Sequence, residues 1–303
     1  TVVNHRIEES VIRTSERMVY EDVTKILEEN DPELVERYSD LVEDFRDMET
    51  LSRILREKRM RRGSIDFDLD EAKIILDIQG KPIEVKPYER GVSNKIIEEF
   101  MLVCNETVAE YMTWNEVPFL YRIHEDPTVE KLLEFNEFIH NFGYHLKGVG
   151  GEIHPKSLQN LLEKIRGTRE EDIISTVMLR SLQKARYSSE NAGHFGLAAK
   201  YYCHYTSPIR RYPDLIVHRI LKDFIHDRMD KKHMEKLAGR LPEMANHCSE
   251  REKVADEAER ETDDLKKAEF MMDKIDREYD GIISGVTNYG IYVALDNTVE
   301  GLI

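Results

Sequence analysis

The chain has 303 residues, 40% of them hydrophobic and 34% charged, which is enough for one large domain or two ordinary ones with a well-solvated surface. The formal net charge is −16. Taken alone this argues against a nucleic-acid binder, because phosphate contacts need clustered cations, so any such reading must rest on a local basic site.

Cys104, Cys203 and Cys248 are widely spaced with no CxxC pair. They fit a reducing cytoplasm and offer neither a zinc site nor a disulfide framework. The opening TVVNHRIEES is no signal peptide, and no run of 18 apolar residues could span a membrane.

Residues 1–13 alternate like a strand and lack a start methionine, as if the chain opens in mid-domain. Ser15 can cap a helix running to about Asn30, with Val19, Val23, Ile26 and Leu27 on one face. Asp31 and Pro32 then form a cap and a first-turn proline for a long helix through Leu34, Tyr38, Leu41, Phe45, Met48 and Leu55, stopped at Gly63. Residues 64–87 read as strands with a turn at Gln79-Gly80. Ser93 opens another helix, expected to bury Ile97, Met101, Cys104, Val108 and Met112. Residues 118–200 mix short helices and loops, and helices return at about 208–228 and 231–247. Ser249 and Glu252 form a capping box for a last charged helix to about 276. Residues 279–303 read as two or three short strands.

The stretch with the most chemical content is HYTSPIRRYPDLIVHR, residues 204–219. Thr206 or Ser207 can cap a helix whose first position is Pro208, placing Arg210 and Arg211 in the first turn. Free N–H groups, the positive dipole end and a guanidinium converge there, a combination that holds phosphate. Arg210, Asp214 and His218 fall on one face, so Asp214 could orient Arg210, although an ordinary surface Arg–Asp pair has the same spacing. Asp66, Asp68, Asp70 and Glu71 look like a metal cluster, but strand alternation makes them read as a solvated face opposite Phe67.

Residues 189–219, SENAGHFGLAAKYYCHYTSPIRRYPDLIVHR, resemble the signature of the RNase II/R exoribonuclease family. The resemblance extends through SERMVYEDV, RRGSIDFDLDEAKIILD, SNKIIEEFM and the charged helix near 259. It implies an α+β, mostly helical C-terminal part of an RNB-type catalytic domain over 1–277. From 278 to 303 it implies the start of an S-one-type RNA-binding domain, a truncated OB-fold β-barrel. The implied activity is processive 3′-to-5′ hydrolysis of single-stranded RNA to nucleoside 5′-monophosphates with Mg²⁺, by a cytoplasmic monomer.

By the same resemblance Arg210 holds the scissile phosphate and Phe67 stacks terminal bases. Tyr20 and Glu98 contact ribose, Glu259 lies near the 3′ end, and Ser207 and Arg211 contact RNA. Tyr289 and Tyr292 fall where OB-folds place stacking aromatics. His194 and His204 support the channel wall. On pattern alone Phe67 and Tyr20 read as packing residues, and Glu98 with Glu99 as an exposed pair. The family's run of four metal-binding aspartates is expected before the position of Thr1, so no metal ligand is assigned here and the isolated chain is expected to be inactive. The alternative is a non-catalytic RNA-binding relative of the same fold.

Overall fold

The computed structural model describes residues 2–66, 71–148, 151 and 153–303. In chain order the elements are α1 (Tyr20–Thr24), a π-helical turn (Lys25–Glu29), α2 (Pro32–Arg37), α3 (Val42–Arg62), β1 (Ala72–Leu76), β2 (Pro82–Pro87), α4 (Val92–Trp114) and β3 (Tyr121–Ile123). There follow α5 (Val129–His140), α6 (Pro155–Ile165), α7 (Glu171–Ser181), β4 (Arg186–Ser188), α8 (Tyr212–Ile225), α9 (Lys231–Met272), β5 (Gly281–Thr287), β6 (Gly290–Leu295) and β7 (Glu300–Leu302). Helix dominates, and the strands make three small antiparallel sheets, β1–β2, β3–β4 and β5–β6–β7. This is the α+β, mostly helical class read from the sequence. No helix among the described residues is long and apolar enough to cross a membrane.

The chain divides into two compact units. The first comprises Thr1–Ser64, Arg90–Asp126 and Lys184–Ser249. Its main core joins Val108, Ala109 and Met112 of α4 to Phe119, Leu120 and Ile123 around β3, Ile216, Val217 and Ile220 of α8, and Leu241 and Ala245 of α9. Burying one such large side chain stabilises by roughly 1.5–3 kcal/mol. A smaller core of Ile26, Tyr38, Val42 and Phe45 joins the π turn to α2 and α3.

Two arginine–glutamate pairs fasten α3 to α4. Arg59 donates through Nε and Nη2 to Glu99 at 3.1 and 2.6 Å, and through Nη1 to Ser64 at 2.9 Å. Arg62 grips Glu106 with both Nη atoms at 2.8 and 2.6 Å and donates to the Leu197 carbonyl at 3.1 Å. Arg59 and Glu99 are 5% and 3% exposed, so each is the other's compensation for lost water.

The second unit comprises Ile65–Glu89, Pro127–Gln183 and Glu250–Ile303. The β1–β2 hairpin turns at Gly80 (φ +81°), where Asp77 Oδ1 accepts the N–H groups of Gln79 and Lys81. Those bonds, the one from Lys81 foremost, hold the Asp77 carboxyl below its ordinary range. Helices α5, α6 and α7 bury Phe135, Ile139, Leu158, Ile165, Ile174 and Met178. Strands β5–β6–β7 form a meander, and the described residues make no closed barrel.

Several local expectations are corrected. Residues 2–19 carry no strand or helix, and Val3, Val11 and Ile12 are exposed despite the alternation, because a lone strand needs a neighbour to pair with. Ser15 caps nothing: α1 starts after Val19, and Asn30 in the left-handed region (φ +52°) closes the π turn. Asp31 caps as expected, accepting from Glu33 and Leu34, and Gly63 stops α3 at φ +104°. The intervening helix nevertheless breaks at Tyr38–Leu41. Periodicity did not reveal this, because Tyr38 and Val42 still face the same core.

Gly91, not Ser93, is the N-cap of α4. An added Cβ there would lie 2.6 Å from Thr24 Oγ1. Ser93 instead donates to the Tyr20 carbonyl and shares a hydrogen bond with the Thr24 hydroxyl. The buried face of α4 runs through Ile96, Glu99, Asn105, Val108 and Met112, leaving Cys104 exposed. Finally, α9 is continuous through Ser249, with Pro242 inside it. Ser249 Oγ donates to the Ala245 carbonyl one turn back and accepts the Tyr187 N–H, so it acts as a mid-helix serine rather than a cap.

Candidate functional site

The segment between β4 and α8 lies along the β3 edge. The Arg122 N–H donates to the Tyr202 carbonyl, the His124 N–H to Gly193, and the Phe195 N–H to His124. His194 and Ala199 exchange backbone bonds at 2.8 and 3.1 Å, closing a tight loop. Gly196 fits where its N–H donates to His124 Nδ1 at 3.1 Å, and an added Cβ would crowd that same nitrogen at 3.0 Å. Edge-on ring contacts then run from His194 to Tyr202 and from Tyr202 to His204. Asn105 of α4 donates to the Tyr202 hydroxyl and accepts the Tyr205 N–H. His194 and His204 thus serve as packed wall residues.

After this wall the chain makes a turn at Ser207–Arg211, and α8 begins only at Tyr212 with Arg211 as N-cap. This corrects the expected start at Pro208. Neither Thr206 nor Ser207 caps the helix, and neither arginine lies in its first turn. The Ser207 carbonyl accepts the N–H groups of Arg210 at 3.3 Å and Arg211 at 3.0 Å. Asp214, fully buried in the first turn of α8, accepts the Ser207 N–H at 2.7 Å and Arg211 Nη2 at 2.8 Å through the same Oδ1. The expected Asp214–Arg210 partnership is therefore replaced by Asp214–Arg211. The extra residues before the helix shift the spacing from one turn of helix to a closed loop. His218 stacks on Tyr205 at 4.3 Å and bonds its carbonyl.

The outcome is a divided pair of arginines. Arg211 is committed to holding the turn. Arg210 is exposed at the tip, and among the described residues its guanidinium has no ion-pair or hydrogen-bond partner. Beneath them Thr206 Oγ1, Arg211 Nε and Asp214 Oδ2 are buried without a protein partner, so the turn has unused polar capacity.

Burial first, then the charges of Arg211, Arg122 and Arg210, push His204 down to about 2. Burial, His124 and Arg122 push His194 down to about 3. Burial, the larger cause, disfavours any charge there; the nearby arginines add a smaller push in the same direction. Arg122, stacked 4.7 Å over the Tyr187 ring, is a contributor that sequence reasoning missed, because nothing in YRI marks it.

The other candidate residues fall elsewhere. Tyr20 is 44% exposed at the start of α1, beside Ser93 and Ile97 of α4. Glu98 is not freely exposed: Arg90 holds its carboxylate, and Arg59 Nη2 lies 3.9 Å away. Its neighbour Glu99 is buried, which corrects the expected exposed pair. Phe67 lies outside the described residues, as do Asp68 and Asp70. In the second unit Glu259 is an exposed residue of α9. Tyr289 sits in the β5–β6 turn, and its hydrogen bond with Tyr292 holds that phenol above its ordinary range. Among the described residues no group of three or more His, Cys, Asp or Glu could hold a metal ion, so no metal-dependent step can be derived from them.

The RNB domain family matches residues 1–227. Ribonuclease R 1 of Lactococcus lactis is 45% identical over 302 residues, which are 100% of this chain and 37% of the relative. Ribonuclease R of Aquifex aeolicus is 46% identical over 98% of this chain and 42% of its own length. A solved structure of Mycoplasma genitalium RNase R in complex with ribose-methylated single-stranded RNA is 28% identical, with a TM-score of 0.85. It covers 93% of this chain and 44% of that one. The chain thus spans about two fifths of the length of these curated relatives.

Proposed function

We propose that this chain, which belongs to the RNB domain family, is the substrate-holding part of a 3′-to-5′ exoribonuclease that hydrolyses RNA processively to nucleoside 5′-monophosphates. The observation that carries the reading is the Arg210 turn: an unpaired guanidinium held out by the buried Asp214–Arg211 pair. A planar guanidinium can grip two oxygens of a scissile phosphate and follow the charge that builds on them during hydrolysis. Ser207 and Arg211 set its position through the turn.

In the same reading Tyr20 and Glu98 face ribose, Phe67 stacks terminal bases and Glu259 approaches the 3′ end. Residues 1–277 belong to the catalytic domain, and 278–303 open an S-one-type barrel in which Tyr289 and Tyr292 stack on RNA. The protein works as a cytoplasmic monomer. A bound Mg²⁺ would supply Lewis-acid chemistry, lowering the pKa of the attacking water and offsetting charge on the leaving oxygen. Its ligands are assigned to parts of the longer protein that this chain does not include. The isolated chain therefore holds RNA without cutting it.

The test is binding of fluorescent single-stranded RNA to the chain and to Arg210→Ala. Loss of a charge-assisted contact worth about 1.5–3 kcal/mol weakens binding roughly ten- to hundredfold. Equal affinity of the two proteins removes Arg210 from the site. A non-catalytic relative is separated by hydrolysis itself: the longer protein with Mg²⁺ shortens labelled RNA in this reading and leaves it intact in the other.

A further inference from the structure

A cleft of about 480 Å³ lies between α8 and the first turns of α9, within the first unit. Its lining includes Arg219 of α8 and Lys232, Lys236 and Arg240 of α9. All four are exposed, and among the described residues none has an ion-pair partner. The two acids of the lining are already engaged. Asp223 is held by Arg228 at 2.7 Å with His233 at 3.7 Å, and Asp230 Oδ1 accepts the His233 N–H at 2.7 Å. With four unpaired cations against Asp230, the cleft presents an excess of positive charge in a chain of net charge −16.

The arrangement is costly to the helix itself. Lys232, Lys236 and Arg240 recur four residues apart, and like charges at that spacing destabilise a helix. Asp230, which caps the start of α9, is the one acid beside its first turn, which itself holds none. Glu235 and Glu243 stand three residues from Lys232 and Arg240, but neither forms an ion pair with them.

We propose that this cleft is a second RNA-binding surface, which tracks the phosphates of a strand upstream of the nucleotide held by Arg210. The proposal rests on the exoribonuclease reading and deepens it. Three observations favour RNA over an acidic protein segment. The cleft begins at Tyr212, which directly follows the Arg210–Arg211 turn in the chain and starts α8. The Tyr212 ring is 52% exposed at its edge, and a base stacks on an exposed aromatic regardless of sequence. The three cations of α9 span about 12 Å of helix axis, enough to meet two or more successive phosphates of one strand.

The experiment compares the chain with its Lys236→Gln/Arg240→Gln double variant, with Arg210→Ala, and with Lys131→Gln/Lys164→Gln as a control for net charge. Binding of labelled single-stranded RNA is followed by anisotropy over a series of salt concentrations. Each phosphate contact contributes about −0.7 to the slope of log K against log salt on a single strand. The double variant is expected to flatten that slope by about 1.4, with the control unchanged. A slope unchanged in the double variant, while Arg210→Ala weakens binding, overturns the cleft and leaves the Arg210 reading standing. Wild-type chain that does not bind RNA overturns both. Capture of polyglutamate at least as tight as that of RNA, lost in the double variant, assigns the cleft to an acidic protein segment and overturns the proposal.

Discussion

Asp214→Asn separates the residue that holds the candidate site from the residue that uses it. The carboxylate is fully buried and receives two charge-assisted bonds through Oδ1, from the Ser207 N–H and Arg211 Nη2. Asparagine keeps an acceptor at that place, and its amide can occupy the position of Oδ2, which has no protein partner. The substitution therefore removes charge with little change of shape. Each bond falls from about 1.5–3 to about 0.5–1.5 kcal/mol, a combined loss of roughly 2–3 kcal/mol.

Arg211 is also left without its counter-charge, but its side chain is 21% exposed, so the loss stays at the lower end of the roughly 3–5 kcal/mol seen for broken buried pairs. We expect about 3 kcal/mol. Far-UV circular dichroism, dominated by the helices, follows the unfolding. With a urea dependence of about 2 kcal/mol per molar, the midpoint falls by about 1.5 M. RNA affinity should fall as well, under conditions where the variant is still folded, because the turn carrying Arg210 loosens. Arg210→Ala, at an exposed and unpaired position, should instead leave stability within about 0.5 kcal/mol. A midpoint for Asp214→Asn within that same margin would refute the scaffold role given to Asp214.

Other outcomes follow from the same geometry. His204 and His194, held down to about 2 and about 3, stay neutral in the folded protein and take up protons in the unfolded chain below about 6.5. Their contribution to stability is full above that pH and declines as pH falls, by at most about 1.4 kcal/mol per unit for each; urea midpoints between pH 7 and pH 5 should show the decline, and His204→Gln should flatten it. Arg59→Ala leaves buried Glu99 with only the more distant Arg56 at 3.9 Å and should cost about 3 kcal/mol, so a loss below about 1 kcal/mol would show that Arg56 or water takes over. Glu98→Ala combined with Tyr20→Phe should lower the ratio of RNA to DNA cleavage in the longer protein, because a site built to bond the 2′-hydroxyl penalises its absence; an unchanged ratio removes both residues from ribose reading. The isolated chain with Mg²⁺ should leave labelled RNA intact, and ladder-like shortening from the 3′ end would mean that metal ligands lie within it.

Local codes were legible in the sequence where the information was local. Asp31 before Pro32, Gly63 at the end of α3 and the Gln79-Gly80 turn all took their expected places, because caps and turns are decided by one or two side chains. The signature around residues 189–219 pointed to the right family. What it missed was tertiary. The start of α8 moved past Pro208 because Asp214 closes the Ser207–Arg211 turn more tightly than a serine cap could. Glu99 became a core residue only because Arg59 arrives from another helix. The strand-like opening stayed irregular because alternation states which face is apolar but cannot supply a partner strand.

The central claim is that Arg210 contacts the phosphate being cleaved, and single-turnover hydrolysis of RNA by the longer protein carrying Arg210→Lys tests it most directly. A lysine keeps the charge but loses the planar fork. The account predicts a rate lowered by roughly a hundredfold or more, about 3 kcal/mol of transition-state stabilisation, with RNA affinity changed much less. A rate equal to that of the unaltered protein would contradict it.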